Sequence, residues 1–300
     1  MNLIIPVKPM LPQTGALLLE IIVTLALSLI VLAVIMNIML NSIEQSHYQN
    51  NVFSLQRQFI RVSQLFYHEL SSAGYQGCLR VTGDAVMQIR KAEDVPVTWL
   101  GKGYQAKAHT MVIHIEKMAT SHDYLLSDHA NNQNQWTVSM HQRLKAGDMV
   151  MIADCNKTEK TTVLTASVQK NQQIVTTANN DTAFAAGSYF GLWQEKTFYI
   201  AKTDRKTRLG APIWGLYSYE NGQTYEWADG VNDLRFNTIT DDQHHTVLVA
   251  HILLTSLERV THRVQNYFFA GVSYRSEDGH LYQAMEVDIT LQPGVFLSLH

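Results

Sequence analysis

The sequence is poor in charged residues, cysteine and proline. Charged side chains make up 16% of its 300 residues, against about 25% in an average soluble protein. With 23 Lys and Arg against 26 Asp and Glu, it lacks the basic excess on which phosphate-driven binding depends, so we expect no nucleic-acid partner. Two cysteines are too few for a disulfide-dense scaffold or a four-cysteine zinc site. Six prolines and 16 glycines exclude collagen-like or linker-like composition.

The shortage of charge is concentrated in an apolar run near the N-terminus. Residues 16–40 read ALLLEIIVTLALSLIVLAVIMNIML, and Glu20 is their one charged side chain. About 20 such residues span a bilayer core, and the run is longer than the apolar stretch of a cleavable secretory signal. Lys8 precedes the run, whereas no Lys or Arg follows it until Arg57. This asymmetry predicts a retained transmembrane helix with its N-terminus inside and the rest of the chain translocated.

Glu20 lies only four residues into this run, where a buried carboxylate costs roughly 2.5 to 3.5 kcal/mol on insertion scales. One interpretation is that Glu20 lies near the interface and snorkels, or is protonated. Another interpretation involves Gly15. A peptidase that cuts between Gly15 and Ala16 creates a positive amine at a helix N-terminus, which attracts the carboxylate. A neighbouring subunit can supply either partner.

Beyond the membrane run, the pattern is that of an amphipathic helix. No Pro or Gly occurs between Ala16 and Ala73, so one continuous helix is predicted, with Gly74 at its end. Its apolar face is expected to pack on a sheet. The apolar residues recur at spacings of three and four, with polar residues between them: Val52, Leu55, Phe59, Val62, Phe66 and Leu70, interleaved with Arg57, Arg61, His68 and Glu69.

Short β-type runs follow from about Arg80, and we expect no further domain boundary after Ala73. The turn signals Glu220–Gly222 and Glu277–Gly279 predict antiparallel hairpins. The polar segment from Asn171 to Gly187 is either an exposed loop or a pair of weak edge strands. The predicted strands are Thr110–Glu116, Asp148–Ala153, Thr161–Val168, Lys196–Ala201, Val247–Leu254 and Tyr282–Leu291.

The N-terminal pattern resembles a known processing signal. The segment GALLLE, from Gly15 to Glu20, followed by an unbroken apolar helix, is similar to the class III signal of type IV pilins and type II secretion pseudopilins. Ala16 and Leu17 stand where those families usually have Phe and Thr. Further segments along the chain resemble the PilW-type minor pilins. They are AGYQGC at 73–78, AGDMVMIADC at 146–155, FYI at 198–200, WGLY at 214–217, GVNDLRF at 230–236 and VLVAHILLTSLER at 247–259.

This resemblance implies an α+β, pilin-like fold in which a long N-terminal helix, transmembrane and then amphipathic, packs on an antiparallel β-sheet head. The implied segments are a leader at 1–15, a transmembrane half-helix at 16–40, an amphipathic half-helix at 41–73 and a β-rich head at 74–300. The prepilin peptidase would cut between Gly15 and Ala16, amino-terminal methylation would fall on Ala16, and Glu20 would set the register between subunits.

The resemblance also implies a function and a location. It implies a non-catalytic minor pilin of the type IV pilus that primes assembly and lies at or near the tip, supporting adhesion and twitching motility. The chain would lie in the inner membrane with its head in the periplasm, and then in the pilus at the cell surface. Its partners would be other minor and major pilins, the prepilin peptidase, the inner-membrane assembly platform and a tip adhesin, with no cofactor.

Two alternatives stay open at this point. One is a minor pseudopilin of type II secretion, which would affect export of soluble enzymes instead of surface pili. The other is a signal-anchored periplasmic enzyme or binding protein whose β-rich region is the working domain. The second alternative predicts an uncleaved N-terminus.

Translocation also bears on the two cysteines. In an oxidising compartment Cys78 and Cys155 have reason to pair, which would fasten the end of the helix to the head. Two reduced, buried thiols are the other interpretation. Their separation of 77 positions is not that of a redox CxxC motif.

No sequence motif points to catalysis. There is no GxSxG, HExxH, P-loop or GxGxxG segment. The segment DDQHH at 241–245 can either bind a divalent cation or form a solvated loop, and we expect no metal site. Further residues weighed as metal donors are His109, His114 and His251. Aromatic residues interpreted as core or strand-face side chains, in preference to a sugar platform, are Trp193, Trp214, Tyr217, Tyr219 and Trp227.

Overall fold

One long helix opens the structure, a computed structural model that describes residues 14–77, 87–130, 133–178, 182–208, 210–240, 246–260, 264–291 and 297–299. The helix, α1, spans Thr14–Ser71, which confirms the predicted N-terminal helix and ends it two residues before Ala73. Gly74 then adopts a φ of 74°, which favours glycine. Its N–H donates to the carbonyl of Glu116 at 2.9 Å, so the chain turns directly onto the sheet.

The described residues after α1 form sixteen strands and two short 3₁₀ turns, Ala92–Asp94 and Val97–Trp99. The strands are β1 Met87–Lys91, β2 Met111–Met118, β3 Asp123–Tyr124, β4 Gln135–Ser139, β5 Met149–Ala153, β6 Thr158–Gln169, β7 Gln172–Thr177, β8 Tyr189–Lys206, β9 Pro212–Glu220, β10 Gln223–Asp229, β11 Val231–Thr240, β12 Thr246–Thr255, β13 Gln265–Phe269, β14 Val272–Ser276, β15 Tyr282–Thr290 and β16 Leu297–Leu299.

These strands form a large sheet, a small sheet and a hairpin. The large sheet has 11 strands with the path β16-β1-β2-β8-β5-β6-β7-β4, and β3, β9 and β10 extend it beside β8. Its described pairings are antiparallel except that of β1 with β16. The small sheet has the order β11-β12-β15, and β13 pairs with β14 alone. A large antiparallel β-sheet domain therefore follows the helix, as predicted.

Each of the six predicted strands is present, with ends that differ by up to seven residues. The hairpin at Glu220–Gly222 is also confirmed. There β9 pairs with β10, and Asn221 and Gly222 have φ values of 51° and 79°, as a two-residue type I′ turn requires.

Two expectations about strand pairing are wrong. The turn at Glu277–Gly279 joins β14 to β15, but β14 pairs with β13 and β15 pairs with β12, so no hairpin forms there. Within the segment from Asn171 to Gly187, β7 is neither a loop nor an edge strand, because it lies between β6 and β4. Turn residues fix a local reversal of the chain, whereas partners are chosen by side-chain packing.

The main core encloses the C-terminal part of α1. Phe66 is fully buried and lies edge-on to Phe198 of β8 at 5.7 Å and to Phe236 of β11 at 6.0 Å. The helix therefore lies between the large and the small sheet here. A second core beneath β4 to β7 surrounds Trp136, whose indole N–H donates to Thr177 at 2.8 Å. By compactness the chain divides into two units, Met1–Asn50 and Asn51–His300.

Candidate assembly site

The predicted processing site lies at the start of α1. Gly15 and Ala16 are its second and third residues, and the rest of the predicted leader, residues 1–13, lies outside the described residues. Glu20 follows on the helix surface, and every residue from Leu18 to Leu40 is exposed. The helix is long and apolar enough to cross a membrane. An uncovered apolar helix surface of this length is compatible with a membrane anchor or with a signal sequence.

The polar side chains beside Glu20 are satisfied within the helix. The Thr24 hydroxyl lies 2.9 Å from the carbonyls of Glu20 and Ile21, and the Ser28 hydroxyl donates to Leu25 at 2.8 Å. Among the described residues the Glu20 carboxylate has no hydrogen bond or ion pair. This helix surface therefore presents a carboxylate that is free to meet a group on another molecule.

An ion network joins the other end of α1 to the large sheet. Glu69, in the last turn of the helix, accepts Nζ hydrogen bonds from Lys117 of β2 at 2.8 Å and from Lys196 of β8 at 2.9 Å. Lys117 also donates to the Ser72 hydroxyl at 2.8 Å, and Lys196 lies 3.0 Å from Glu220 of β9. Charged groups removed from water need such partners. The network thus fixes the helix end against three strands.

The network also shifts the pKa values of its members. Burial alone would raise the pKa of Glu69, but the hydrogen bonds and charges of Lys117 and Lys196 outweigh it, so the pKa lies below its ordinary range. For Lys196, burial alone would lower the pKa, and the carboxylates of Glu69 and Glu220 raise it overall. Both shifts favour the charged forms.

Sequence reasoning missed this network. It placed Glu69 among the polar residues between the apolar positions of the helix, whereas Glu69 is only 8% exposed. The spacing held the signal, because Glu69 follows Val62 by seven residues and Phe66 by three, which places it on the buried face. No local pattern identifies Lys117 and Lys196 as its partners.

Of the two cysteines in the predicted disulfide, the structure describes Cys155. Cys155, two residues after β5, is disulfide-bonded. Cys78 is the other cysteine of the sequence and lies outside the described residues, so its pairing with Cys155 stays a prediction. Three residues before Cys78 in the sequence, the carbonyl of Tyr75 accepts a hydrogen bond from the N–H of Met118 in β2 at 2.7 Å.

One grouping has the composition of a catalytic triad. Ser139 Oγ lies 3.1 Å from His141 Nδ1, and this same nitrogen lies 3.2 Å from Asp123 Oδ1. A triad requires the serine and the carboxylate to contact different ring nitrogens. Here the Ser139 hydroxyl donates to Asp123 directly at 2.9 Å, and the N–H groups of His141 and Gln142 donate to the same carboxylate. The grouping therefore stabilises the turn after β4.

The histidines considered as metal donors have separate surroundings. His109 is exposed beside Glu93, whereas His114 is buried, with Nδ1 2.8 Å from Thr197 Oγ1. His251 lies 2.9 Å from Glu286. The DDQHH segment at 241–245 lies outside the described residues. Within the part of the chain that the structure describes, no group of three or more His, Cys, Asp or Glu side chains is arranged to hold a metal ion.

The five aromatic residues of the predicted set are strand residues with buried or half-buried side chains. A cleft of about 380 Å³ includes Trp99 and Trp193 in its lining. Trp99 stacks on His114 at 4.2 Å, and the Arg90 guanidinium lies 5.0 Å from its centroid. The Lys160 amine covers Trp193 at 3.7 Å. Side chains of the protein itself therefore lie against both of these rings.

The remaining aromatic residues of the predicted set lie in the β9–β10 hairpin. Tyr217 is buried and stacks with Tyr199 at 6.0 Å. Trp214 and Tyr219 of β9 and Trp227 of β10 are half-buried.

Comparison of the whole chain with protein-family models, with curated proteins and with solved structures finds no match.

Proposed function

We propose that this protein is a minor pilin of the type IV pilus, a non-catalytic subunit that is cut after Gly15 and inserted into a filament. The observation that carries the proposal is the carboxylate of Glu20 on an exposed apolar helix, five residues after Gly15. A permanent single-pass anchor gains nothing from a charge at this place. In a subunit that docks through this helix, the same charge can form an ion pair that fixes the position of the helix beside its neighbour.

The mechanism follows from charge and helix polarity. Cleavage leaves the Ala16 amine at the start of the helix, where the partial positive charge of the helix dipole adds to it. In lipid, the pair formed by this amine and Glu20 of an adjacent subunit replaces two unpaired charges. A shift of one helix along the other would separate the pair, so the interaction sets the axial register of the subunits.

The C-terminal part of α1 supports the same proposal. Residues from Leu55 to Ala73 contribute to a core between two sheets, and the Glu69 network anchors the end of the helix. A helix held this firmly transmits a pull on its apolar half to the folded head. This is the property that a subunit needs when it leaves the membrane. The pilin-like fold, the tip position and the partners all belong to this proposal.

Two substitutions of one residue test it. We expect Glu20→Ala to be cleaved normally yet to fail to support surface pili, because the amine of the neighbour loses its partner. Glu20→Asp keeps the charge and should restore assembly at least in part. Normal piliation by Glu20→Ala cells, measured by electron microscopy of sheared filaments, would remove the register role.

Deletion of the protein separates the proposal from type II secretion. Loss of surface pili and twitching with normal export of soluble enzymes supports the minor-pilin role. Loss of enzyme export with normal pili would assign the chain to the secretion system. An uncleaved chain that retains its function would instead favour a signal-anchored periplasmic enzyme or binding protein.

A further inference from the structure

Lys107 bridges the large and the small sheet, and it takes no part in the candidate assembly site at Gly15, Ala16 and Glu20. Lys107 lies in the segment between the 3₁₀ turn Val97–Trp99 and β2. Its backbone N–H donates to the carbonyl of Ile200 in β8 at 2.7 Å, and its carbonyl accepts from the Thr110 hydroxyl at 2.7 Å. The backbone is therefore fixed to the large sheet, and the side chain extends from a rigid support.

The amine of this lysine contacts the small sheet. Lys107 Nζ lies 2.5 Å from the side-chain oxygen Oδ1 of Asn232 and 2.5 Å from its backbone carbonyl. Since a carbonyl bond is about 1.23 Å long, the amide carbon Cγ lies within about 3.7 Å of Nζ. Asn232 stands in a bulge of β11, where the register with β12 shifts between Val231 and Asp233. A bulge redirects a side chain out of the regular alternation.

Burial increases the neutral fraction of the Lys107 amine, although its protonated form still predominates at pH 7. The ring of Trp214 lies 4.9 Å from Nζ, a contact that favours the protonated form, and among the described residues no carboxylate forms an ion pair with it. Burial lowers the pKa of Lys107 from 10.5 to about 8, against the charge of Asp233, which raises it. Near pH 7 roughly one amine in ten is then neutral, a fraction a few hundred times larger than that of an exposed lysine. A neutral amine held beside a carbonyl carbon is a nucleophile.

We propose that Lys107 and Asn232 join in an intramolecular isopeptide bond. The lone pair of Nζ attacks Cγ of Asn232, and a bond between Nζ and Cγ forms. The bond between Cγ and Nδ2 breaks, and Nδ2 takes one proton from Nζ and leaves as ammonia. The reaction needs no oxidant or reductant. The Asp233 charge stabilises the cationic nitrogen that the attack creates.

The bond would fasten the two sheets to each other. Lys107 is fixed to β8 of the large sheet and Asn232 belongs to β11 of the small sheet, and 125 positions separate them in sequence. The C-terminal part of α1 packs between these sheets. A covalent link would prevent the sheets from separating around the helix under a pulling force.

Peptide mapping of the purified full-length protein tests the proposal. Trypsin does not cut after an acylated lysine, so we expect residues 103–117 and 209–235 to be recovered as one cross-linked species. Its mass should be about 17 Da below the sum of the two peptides, for the loss of one ammonia. Recovery of the two peptides separately, with cleavage after Lys107, would overturn the proposal.

Variants exclude a competing reaction at the same asparagine. Asn232 can also lose ammonia by ring closure onto the backbone nitrogen of Asp233, without any lysine. We therefore expect Lys107→Arg and Asn232→Ala to lack the cross-linked species and the mass loss. Lys202→Arg, which removes the other amine near Trp214, should keep both. A mass loss that persists in Lys107→Arg would show ring closure and overturn the isopeptide bond.

Discussion

Glu69 attaches the last turn of the helix to the large sheet. It accepts hydrogen bonds from Lys117 and Lys196 at 2.8 and 2.9 Å. Glu69→Gln leaves two buried ammonium groups facing a neutral amide, and we expect it to lower the free energy of unfolding by about 3 kcal/mol. Urea denaturation of the full chain in detergent measures this. Glu277→Gln, which breaks the exposed pair with Arg275, should change stability by less than about 0.5 kcal/mol.

The stability difference between the wild type and Glu69→Gln should depend on pH. The pKa of Glu69 in the folded chain lies below its ordinary value of 4.5, so its contribution is full above that value. It is lost as the pH falls through the folded pKa. The stability difference between the wild type and Glu69→Gln should therefore be constant above about pH 5.5 and shrink below pH 4.5. A difference that is the same at pH 3.5 and pH 7 would contradict the role of the carboxylate.

At the scale of single residues, the sequence identifies Glu20 and Gly15 because each departs from its surroundings. It does not identify the Glu69 network. Lys117 and Lys196 are distant in sequence from Glu69, and each reads as an ordinary polar position of a strand. The contact between Lys107 and Asn232 was missed for the same reason, since it joins two sheets whose packing no local pattern encodes.

At the scale of elements, the helix has two different faces between Asn51 and Ser71. Phe66 is fully buried between two phenylalanines, whereas Phe53 is 59% exposed. Phe66→Ala should therefore lower the free energy of unfolding by about 3 to 5 kcal/mol, because it leaves a cavity between the sheets. Phe53→Ala, the same change on the same helix, should cost less than about 1 kcal/mol. Equal effects in urea denaturation would mean that the helix does not pack in this orientation.

The predicted disulfide connects two elements. If Cys155 of the segment after β5 pairs with Cys78, the link closes a loop of 77 positions. We expect non-reducing digestion to yield one species that contains both cysteines, and Cys155→Ser to lower the free energy of unfolding by about 2 to 5 kcal/mol. Alkylation of Cys78 in the unreduced wild-type protein would show that this thiol is free and contradict the pairing.

The long helix and six of the sixteen described strands were predictable, whereas most strand partners were not. The long helix and six strands follow from apolar periodicity and from the absence of Pro and Gly in the helix. The β9–β10 hairpin follows from the turn residues Asn221 and Gly222. The positions of β7 and β15 depend on contacts between distant parts of the chain, so the turn at Glu277–Gly279 suggested a hairpin that does not exist.

At the scale of the whole molecule, the chain combines an exposed apolar helix surface with a β-rich head that encloses the end of the same helix. The Glu69 network lies at the junction of the helix and the head. Lys107 and Cys155, which carry the proposed isopeptide link and the disulfide, both belong to the head. This distribution is consistent with the proposed subunit, in which the apolar helix packs against the helices of neighbouring subunits and remains attached to the head.

The N-terminus of the mature protein tests the proposed processing most directly. We expect intact-mass measurement and N-terminal sequencing of the protein extracted from membranes to show a chain that begins at Ala16, because the proposed pairing of Glu20 depends on the amine that cleavage after Gly15 creates. A functional chain that still begins at Met1 would contradict the proposal.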